Sequence, residues 1–208
     1  MAAEASGGDR PLREIVKSFE SLAAAVTSTT STTVDVGELS HACSLVSFLF
    51  SSLGIAFKFA EMDYVAKVSD LAEAAKRYST LESLIEEDVK EDTVRNRGSH
   101  SRNLLRVKRG IDMVRVMFEE IIATEGNSLK DSASKAYTQV FAPYHGWAIR
   151  KAVAAGMYAL PTRVQLLTKL NEDESSARTQ MENYVSASEP VIQYINGLFI
   201  SRDLGIDW

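Results

Sequence analysis

The chain has 208 residues, of which 45% are hydrophobic and 25% are charged, a composition typical of a soluble globular protein with a sizeable core. Its net charge of −5 argues against general binding to nucleic acid, which requires a basic surface. The single cysteine, Cys43, excludes an intrachain disulfide and fits a reducing, cytoplasmic compartment.

Helical periodicity accounts for the first half of the chain. Pro11 suits the first turn of a helix, and the low-complexity stretch 27–33 is expected to be a loop. Further helices are predicted over about 36–54 and 55–76, and Thr80 is expected to cap a fourth. This half of the chain is therefore predicted to be helical apart from its connections.

An uncharged run over residues 39–57 is long enough to raise the question of a transmembrane span. It carries a stripe of serines at spacings of three and four residues, opposite an apolar face. A helix packed in a soluble protein shows this amphipathic pattern, whereas a bilayer span does not need it. The first ten residues also lack the apolar core of a secretory signal, so we expect no membrane anchor.

A long helix is predicted over residues 99–124, with Ser99 as its cap. One side is apolar, with Leu104, Val107, Ile111, Val114, Phe118 and Ile121. The other side changes along its length from arginine to apolar, with Arg102, Arg106 and Arg109 followed by Met113, Val116 and Met117. The arginines form either a solvated face paired with other helices or a site for one anion, which would relieve their mutual repulsion. The second interpretation predicts a ligand with an anionic head and an apolar body.

The second half of the chain is also predicted to be helical. Helices are expected over about 128–140, 147–160 and 163–170, and a last one begins near Glu174 with Pro190 inside it. No run shows the alternation of a strand. The fold class is therefore predicted to be all-α, a two-layer sandwich of about eight helices in a single domain over residues 11–208, after a flexible N-terminus of residues 1–10.

Two further groups of residues are candidates for a site. Asp63 and Lys67 are four residues apart and share a helix face, either as an ordinary exposed pair or as charges at the mouth of an apolar pocket. His145 follows Pro143 and precedes Gly146, which places it in a turn or at a helix start. A lone histidine is more often structural than functional, and no nucleophile, metal or phosphate-loop motif accompanies it.

Taken together and in this order, these groups resemble the glycolipid transfer protein family. The matching residues are Asp63-x-x-x-Lys67, Arg102-Asn103-Leu104-Leu105-Arg106 with Arg109-Gly110, and Tyr144-His145-Gly146-Trp147. Longer stretches, among them FKFAEMDYVAKV, HGWAIRKAV and the final LGIDW, are most similar to the plant accelerated-cell-death type of ceramide-1-phosphate transfer protein. The resemblance covers about residues 11–208.

The resemblance implies a role for each site residue. Asp63 is expected to accept from the sphingoid amide N–H, and His145 to donate to the acyl carbonyl. Lys67, Arg102 and Arg106 are expected to hold the headgroup. Glycolipid-binding members carry asparagine where Lys67 stands and tryptophan where Arg106 stands, so both departures point to a phosphate rather than a sugar.

The function implied is non-vesicular transfer of ceramide-1-phosphate between membranes, with a link to plant cell death and defence. The partners expected are the sphingolipid and, transiently and peripherally, a membrane surface, for which Trp147, Trp208 and exposed basic residues are docking candidates. No cofactor, metal or nucleic-acid partner is expected. One alternative is a lipid sensor that acts through a regulatory protein partner. Another is hydrolysis with His145 as general base, which lacks a nucleophile; the chain is predicted to be a carrier and not an enzyme.

Overall fold

A computed structural model describes residues 10–28 and 33–208, and within them the chain is helical with no named strand. The predicted flexible residues 1–9 and the centre of the predicted 27–33 loop lie outside this description. The helices are α1 Pro11–Thr27, α2 Val36–Ser52, α3 Lys58–Ala74, α4 Leu81–Lys90, α5 His100–Ala123, α6 Lys130–Val140, α7 Trp147–Gly156, α8 Arg163–Lys169 and α9 Glu174–Ile200. The predicted all-α class is confirmed.

The helix ends follow local signals in the sequence. The Ser99 side chain accepts from the backbone N–H of Arg102 and caps α5, as predicted. Thr80 caps α4 in a reciprocal capping box with Ser83. Gly54 has a φ of 91°, a left-handed conformation that favours glycine, so α2 ends at Ser52, just before it, and a short 3-10 turn, Ile55–Phe57, leads into α3.

Helix α5 lies at the centre of the packing. It contacts α3, α6 and α9, while α1 packs against α9 and α2 packs against α3. Both of its predicted apolar sides are buried, including Leu104, Val107, Ile111, Phe118, Met113, Val116 and Met117. Although α5 is covered on several sides, Arg102 and Arg106 in its first turns remain partly exposed.

A glycine sets the distance between α3 and α5. A Cβ atom built on Gly110 would lie 2.4 Å from Cε2 of Tyr64, so only glycine permits this approach. The Tyr64 ring is itself buried against Phe50, with the ring centroids 4.8 Å apart. Since Asp63 precedes Tyr64 on α3, this contact also fixes how closely the charged residues of the two helices approach.

Within residues 10–28 and 33–208, no helix combines the length with the apolar content that a bilayer span requires. The uncharged run of α2 is amphipathic in the structure, as predicted, except that Ser40, the first serine of the predicted stripe, is buried. Val46 and Leu49 are buried, whereas Ser44 and Ser51 are exposed and their hydroxyls donate to carbonyls of the preceding turn.

Candidate functional site

Helix α3 supplies an ion pair at the edge of the candidate site. The Lys67 ammonium contacts the Asp63 carboxylate and also donates to the Asp63 carbonyl oxygen at 3.2 Å. The Lys67 side chain is only 10% exposed, whereas that of Asp63 is 68% exposed. An ordinary surface pair would expose both partners, so the buried ammonium fits the pocket-mouth interpretation better.

Helix α5 adds two arginines beside this pair. Arg102 donates to the carbonyl oxygen of Arg95 at 3.2 Å. Arg106 is half-buried, and no hydrogen bond or ion pair links its guanidinium to any residue in the described part of the chain. Burial and then the charge of Arg102 lower the pKa of Arg106, with Arg97 adding to the effect and Asp63 opposing it.

The site therefore contains more positive than negative charge. Lys67, Arg102, Arg106 and Arg97 are cationic, and Asp63 is the carboxylate that acts on Arg106. Arg97 lies in the α4–α5 connection and was not predicted as a site residue, although it belongs to the basic stretch of the sequence. An anion placed among these groups would reduce their mutual repulsion, and a guanidinium is well suited to bind phosphate.

His145 faces the same charges from the turn before α7. Its pKa is lowered, first by burial and then by Arg106, with Arg109 adding to the effect and Asp63 opposing it, so the imidazole is neutral near pH 7. Its Nδ1 atom lies 2.9 Å from the Tyr137 hydroxyl, and the Phe141 ring stacks on it at a centroid distance of 5.7 Å. If the hydroxyl donates to Nδ1, Nε2 carries the proton and is the atom free to donate to a ligand.

Tyr137 is a site residue that the sequence did not reveal. It lies on α6, eight positions before His145, and a turn separates the two residues. No periodic pattern connects positions on either side of such a turn. Its hydroxyl nevertheless occupies Nδ1 of His145 and leaves Nε2 to face a ligand.

Arg109, the third arginine of the predicted face, is oriented differently from Arg102 and Arg106. It is 5% exposed and donates to the carbonyl oxygens of Ile206 at 2.8 Å and Trp208 at 2.6 Å. Its guanidinium carbon lies 3.5 Å from the centroid of the Tyr144 ring. Of the two interpretations of the arginine face, Arg109 fits pairing with other parts of the chain and not the anion site.

An apolar cavity lies further along α5. Its volume is about 20 Å³, and it is lined from α2, α5 and α8 by Leu49, Phe50, Leu53, Met113, Met117 and Leu166. Met113 is seven residues after Arg106, which corresponds to roughly 10 Å along a helix. Met113 and Met117 of the predicted apolar end of this side thus line the cavity, which has room for little more than one water-sized guest.

Residues 34–172 match the glycolipid transfer protein family. The chain belongs to this family. It is 61% identical to Accelerated cell death 11 from Arabidopsis thaliana over 204 residues, which cover 98% of each protein. It is 32% identical to the ceramide-1-phosphate transfer protein of Danio rerio, over 71% of this chain and 74% of that protein.

A solved structure of a mutant of Arabidopsis Accelerated cell death 11, complexed with C12 ceramide-1-phosphate, superimposes with a TM-score of 0.95. The two sequences are 60% identical, and the match covers 97% of this chain and 100% of that one. The predicted resemblance and the predicted two-layer all-α fold are therefore confirmed. The family is one of lipid transfer proteins and not one defined by an enzymatic reaction.

Proposed function

We propose that this protein extracts ceramide-1-phosphate from one membrane and delivers it to another. The observation that carries the proposal is the half-buried Arg106, which has no hydrogen-bond or ion-pair partner among residues 10–28 and 33–208 and lies among other cations beside Asp63 and His145. The complex of the Arabidopsis relative with ceramide-1-phosphate supports the choice of lipid.

Each part of the ligand has a complementary group in the site. Arg102 and Arg106 can grip phosphate oxygens with planar, bidentate hydrogen bonds, and Lys67 adds a point charge. The exposed Asp63 carboxylate can accept from the sphingoid amide N–H while it remains paired with Lys67. The Nε2–H of a neutral His145 can donate to the acyl carbonyl. A sugar headgroup would leave these cations without a counter-charge, so the phosphate is favoured.

The apolar cavity must enlarge when the lipid enters. A lipid that leaves a bilayer exposes its chains at a cost of about 0.8 kcal/mol per methylene, so stable extraction requires a closed apolar cavity. The unliganded cavity of about 20 Å³ is too small for an acyl chain. Its lining comes from three helices, so we propose that α2 moves away from α5 and α8 to admit the chains.

A vesicle-to-vesicle transfer assay with labelled ceramide-1-phosphate tests the proposal. Arg106→Ala should lose about 2–5 kcal/mol of binding, which is at least about 30-fold in affinity. Arg178→Ala is the matched control, because Arg178 is exposed on α9, where it pairs with Glu182 and donates to the carbonyl oxygen of Ile122. Equal transfer by Arg106→Ala and the wild-type protein would refute the headgroup site.

We also propose that the protein carries its lipid without changing it. His145 contacts Tyr137 and Phe141, and burial raises the pKa of the Tyr137 hydroxyl, which disfavours the phenolate that a nucleophile would need. Prolonged incubation with ceramide-1-phosphate should return intact lipid by mass spectrometry. Any hydrolysis product that disappears in His145→Ala would contradict a pure carrier.

An exposed apolar surface is proposed to dock transiently on the membrane. Ile55 is 86% exposed, Phe59 is 85%, Trp147 is 69% and Tyr158 is 76%, and the short elements that carry Ile55 and Tyr158 contact each other and α7. Aromatic rings are favoured at the membrane interface, and a contiguous apolar surface of this kind marks an interaction site. Trp208, the other tryptophan candidate, packs against Phe199 and is not proposed for docking.

Sedimentation with lipid vesicles tests this docking surface. Trp147→Ala should reduce the bound fraction, whereas Ile200→Ala should not, since Ile200 is similarly exposed but lies on α9 outside this surface. Equal loss in both variants would contradict the assignment. The alternative of a lipid sensor acting through a protein partner rests on the name of the cell-death relative, and a lipid-dependent pull-down tests it separately.

A further inference from the structure

Arg109 joins two parts of the chain that are distant in sequence. On one side its Nη2 atom donates to the carbonyl oxygens of Ile206 and Trp208, at separations of 97 and 99 residues. These carbonyls belong to a segment after α9, residues 204–208, which we call the 204–208 strap. Arg95 binds the same strap through the carbonyl oxygen of Leu204 at 3.0 Å.

On its other side Arg109 contacts the turn that carries His145. The guanidinium lies over the Tyr144 ring at 3.5 Å, close enough for a strong cation–π contact. Burial lowers the pKa of Arg109, and Tyr144 opposes that shift. Arg109 is therefore held between the strap and the residue next to His145.

The turn has few other anchors. Gly146, Trp147 and Ile149 are exposed, and no residue of α7 is buried. His145 itself has an extended backbone conformation, with φ −107° and ψ 134°, and its backbone N–H donates only within the same turn, to the carbonyl oxygen of Ala142 at 3.3 Å. Its imidazole is held from α6 by Tyr137, whereas the neighbouring backbone is held from α5 through Tyr144.

We infer that Arg109 is a positioning residue for His145 and not a ligand for the lipid phosphate. Its Nη2 atom is committed to the strap, and one face of the guanidinium is covered by the Tyr144 ring. Only arginine can form the forked bonds and the flat stacking contact together, so lysine cannot replace it. The expected effect of Arg109 on lipid binding rests on the proposed function, whereas its expected effect on the position of the His145 imidazole does not.

The first experiment examines the unliganded protein and needs no lipid. The chain has three histidines, so the nitrogen spectrum of ¹⁵N-histidine-labelled protein can be assigned with His145→Ala. The wild-type protein should show the Nε2–H tautomer at His145, and Arg109→Lys and Tyr144→Leu should both show a mixture of tautomers. An unchanged His145 signal in both variants would overturn the inference.

The second experiment is a double-mutant cycle in ceramide-1-phosphate binding. Arg109→Lys and Tyr144→Leu should each weaken binding about tenfold, the worth of one hydrogen bond, and neither should weaken it further in the His145→Ala background. Arg102→Lys, which alters a proposed phosphate ligand, should keep its effect in that background. If Arg109→Lys also keeps its full effect there, Arg109 acts on the lipid independently and the inference is wrong.

A variant that does not fold and a failure of the proposed function can both be told apart from a failure of the inference about Arg109. If Arg109→Lys does not fold, Tyr144→Leu still decides the question, because Tyr144 is 38% exposed and its ring can be removed without opening the core. If the wild-type protein binds no ceramide-1-phosphate, the proposed function fails, and the histidine spectra alone decide whether Arg109 positions His145.

Discussion

Replacing Gly110 with alanine tests whether the approach of α3 to α5 sets the geometry of the site. The new Cβ would lie 2.4 Å from Cε2 and 2.7 Å from Cδ2 of Tyr64, about 1 Å closer than ordinary van der Waals contact. The Tyr64 ring cannot easily retreat, because it is 5% exposed and packs against Phe50. The two helices must therefore separate or the ring must leave its rotamer.

The expected loss of stability follows from two opposing contributions. Overpacking a close contact costs typically about 1–3 kcal/mol, and a rigid aromatic neighbour places this one near the upper end. Alanine in a helix interior recovers up to about 1 kcal/mol relative to glycine. The net loss should be about 2 kcal/mol, which lowers the melting temperature of a chain of this size by about 4–8 °C.

Thermal unfolding followed by circular dichroism measures this change. Gly197→Ala is the matched control, because a Cβ there meets nothing within 4 Å and alanine should stabilise α9 slightly. Tyr64→Leu combined with Gly110→Ala should recover part of the loss, since the clash is removed. A wild-type melting temperature in Gly110→Ala would refute the reasoning, and so would equal shifts in the two glycine variants.

Three further predictions concern the site and its supports. The pKa of His145 in the folded protein lies below its ordinary 6.5. As the pH falls below about 6.5, the unfolded chain therefore binds more protons than the folded one, and the free energy of unfolding should decrease. Urea titrations at several pH values should show a smaller decrease in His145→Gln than in the wild-type protein. Asp88 accepts from the backbone N–H of Ser101 in the first turn of α5 at 2.6 Å. Asp88→Asn removes a negative charge from this helix N-terminus and should lower the free energy of unfolding by about 1 kcal/mol. An unchanged free energy of unfolding would show that the charge of Asp88 does not stabilise α5. Lys169 of α8 donates to the carbonyl oxygen of Ser52 at the end of α2 and so ties together two helices that are proposed to separate when the lipid enters. Lys169→Met should therefore increase the rate of lipid uptake in stopped-flow assays. An unchanged rate would mean that this hydrogen bond does not restrain α2.

The helices were predictable because their signals are local. The period of apolar residues along α5, the hydroxyl caps at Ser99 and Thr80 and the glycine at Gly54 each act within a few residues. The element ends were less predictable. The helix expected from residue 55 begins as a 3-10 turn, and the helix expected over 147–160 ends at Gly156 and continues as another such turn. The two hydrogen-bond patterns differ little in sequence preference, so tertiary packing decides between them.

The site was predictable where helical spacing places its residues side by side. The spacing of four residues puts Lys67 beside Asp63 and Arg106 beside Arg102, as the structure shows. The orientation of Arg109 was not predictable in this way, because its partners lie almost a hundred residues away in the strap. Such contacts depend on how the segment after α9 packs against α5, and periodicity along one helix carries no information about that packing.

The two ends of the site make separate demands on a ligand, and α5 carries both. Without an anion, Arg106 is close to other cations and partly removed from water, so binding a phosphate relieves a cost that is already present. The cavity lined by Met113 and Met117 has a volume of only about 20 Å³, and enlarging it in water would expose apolar surface. A free phosphate would satisfy only the first demand, and an uncharged lipid would satisfy only the second. A single molecule with a phosphate and long chains satisfies both, so headgroup selection by the arginines and retention by the cavity act on the same lipid.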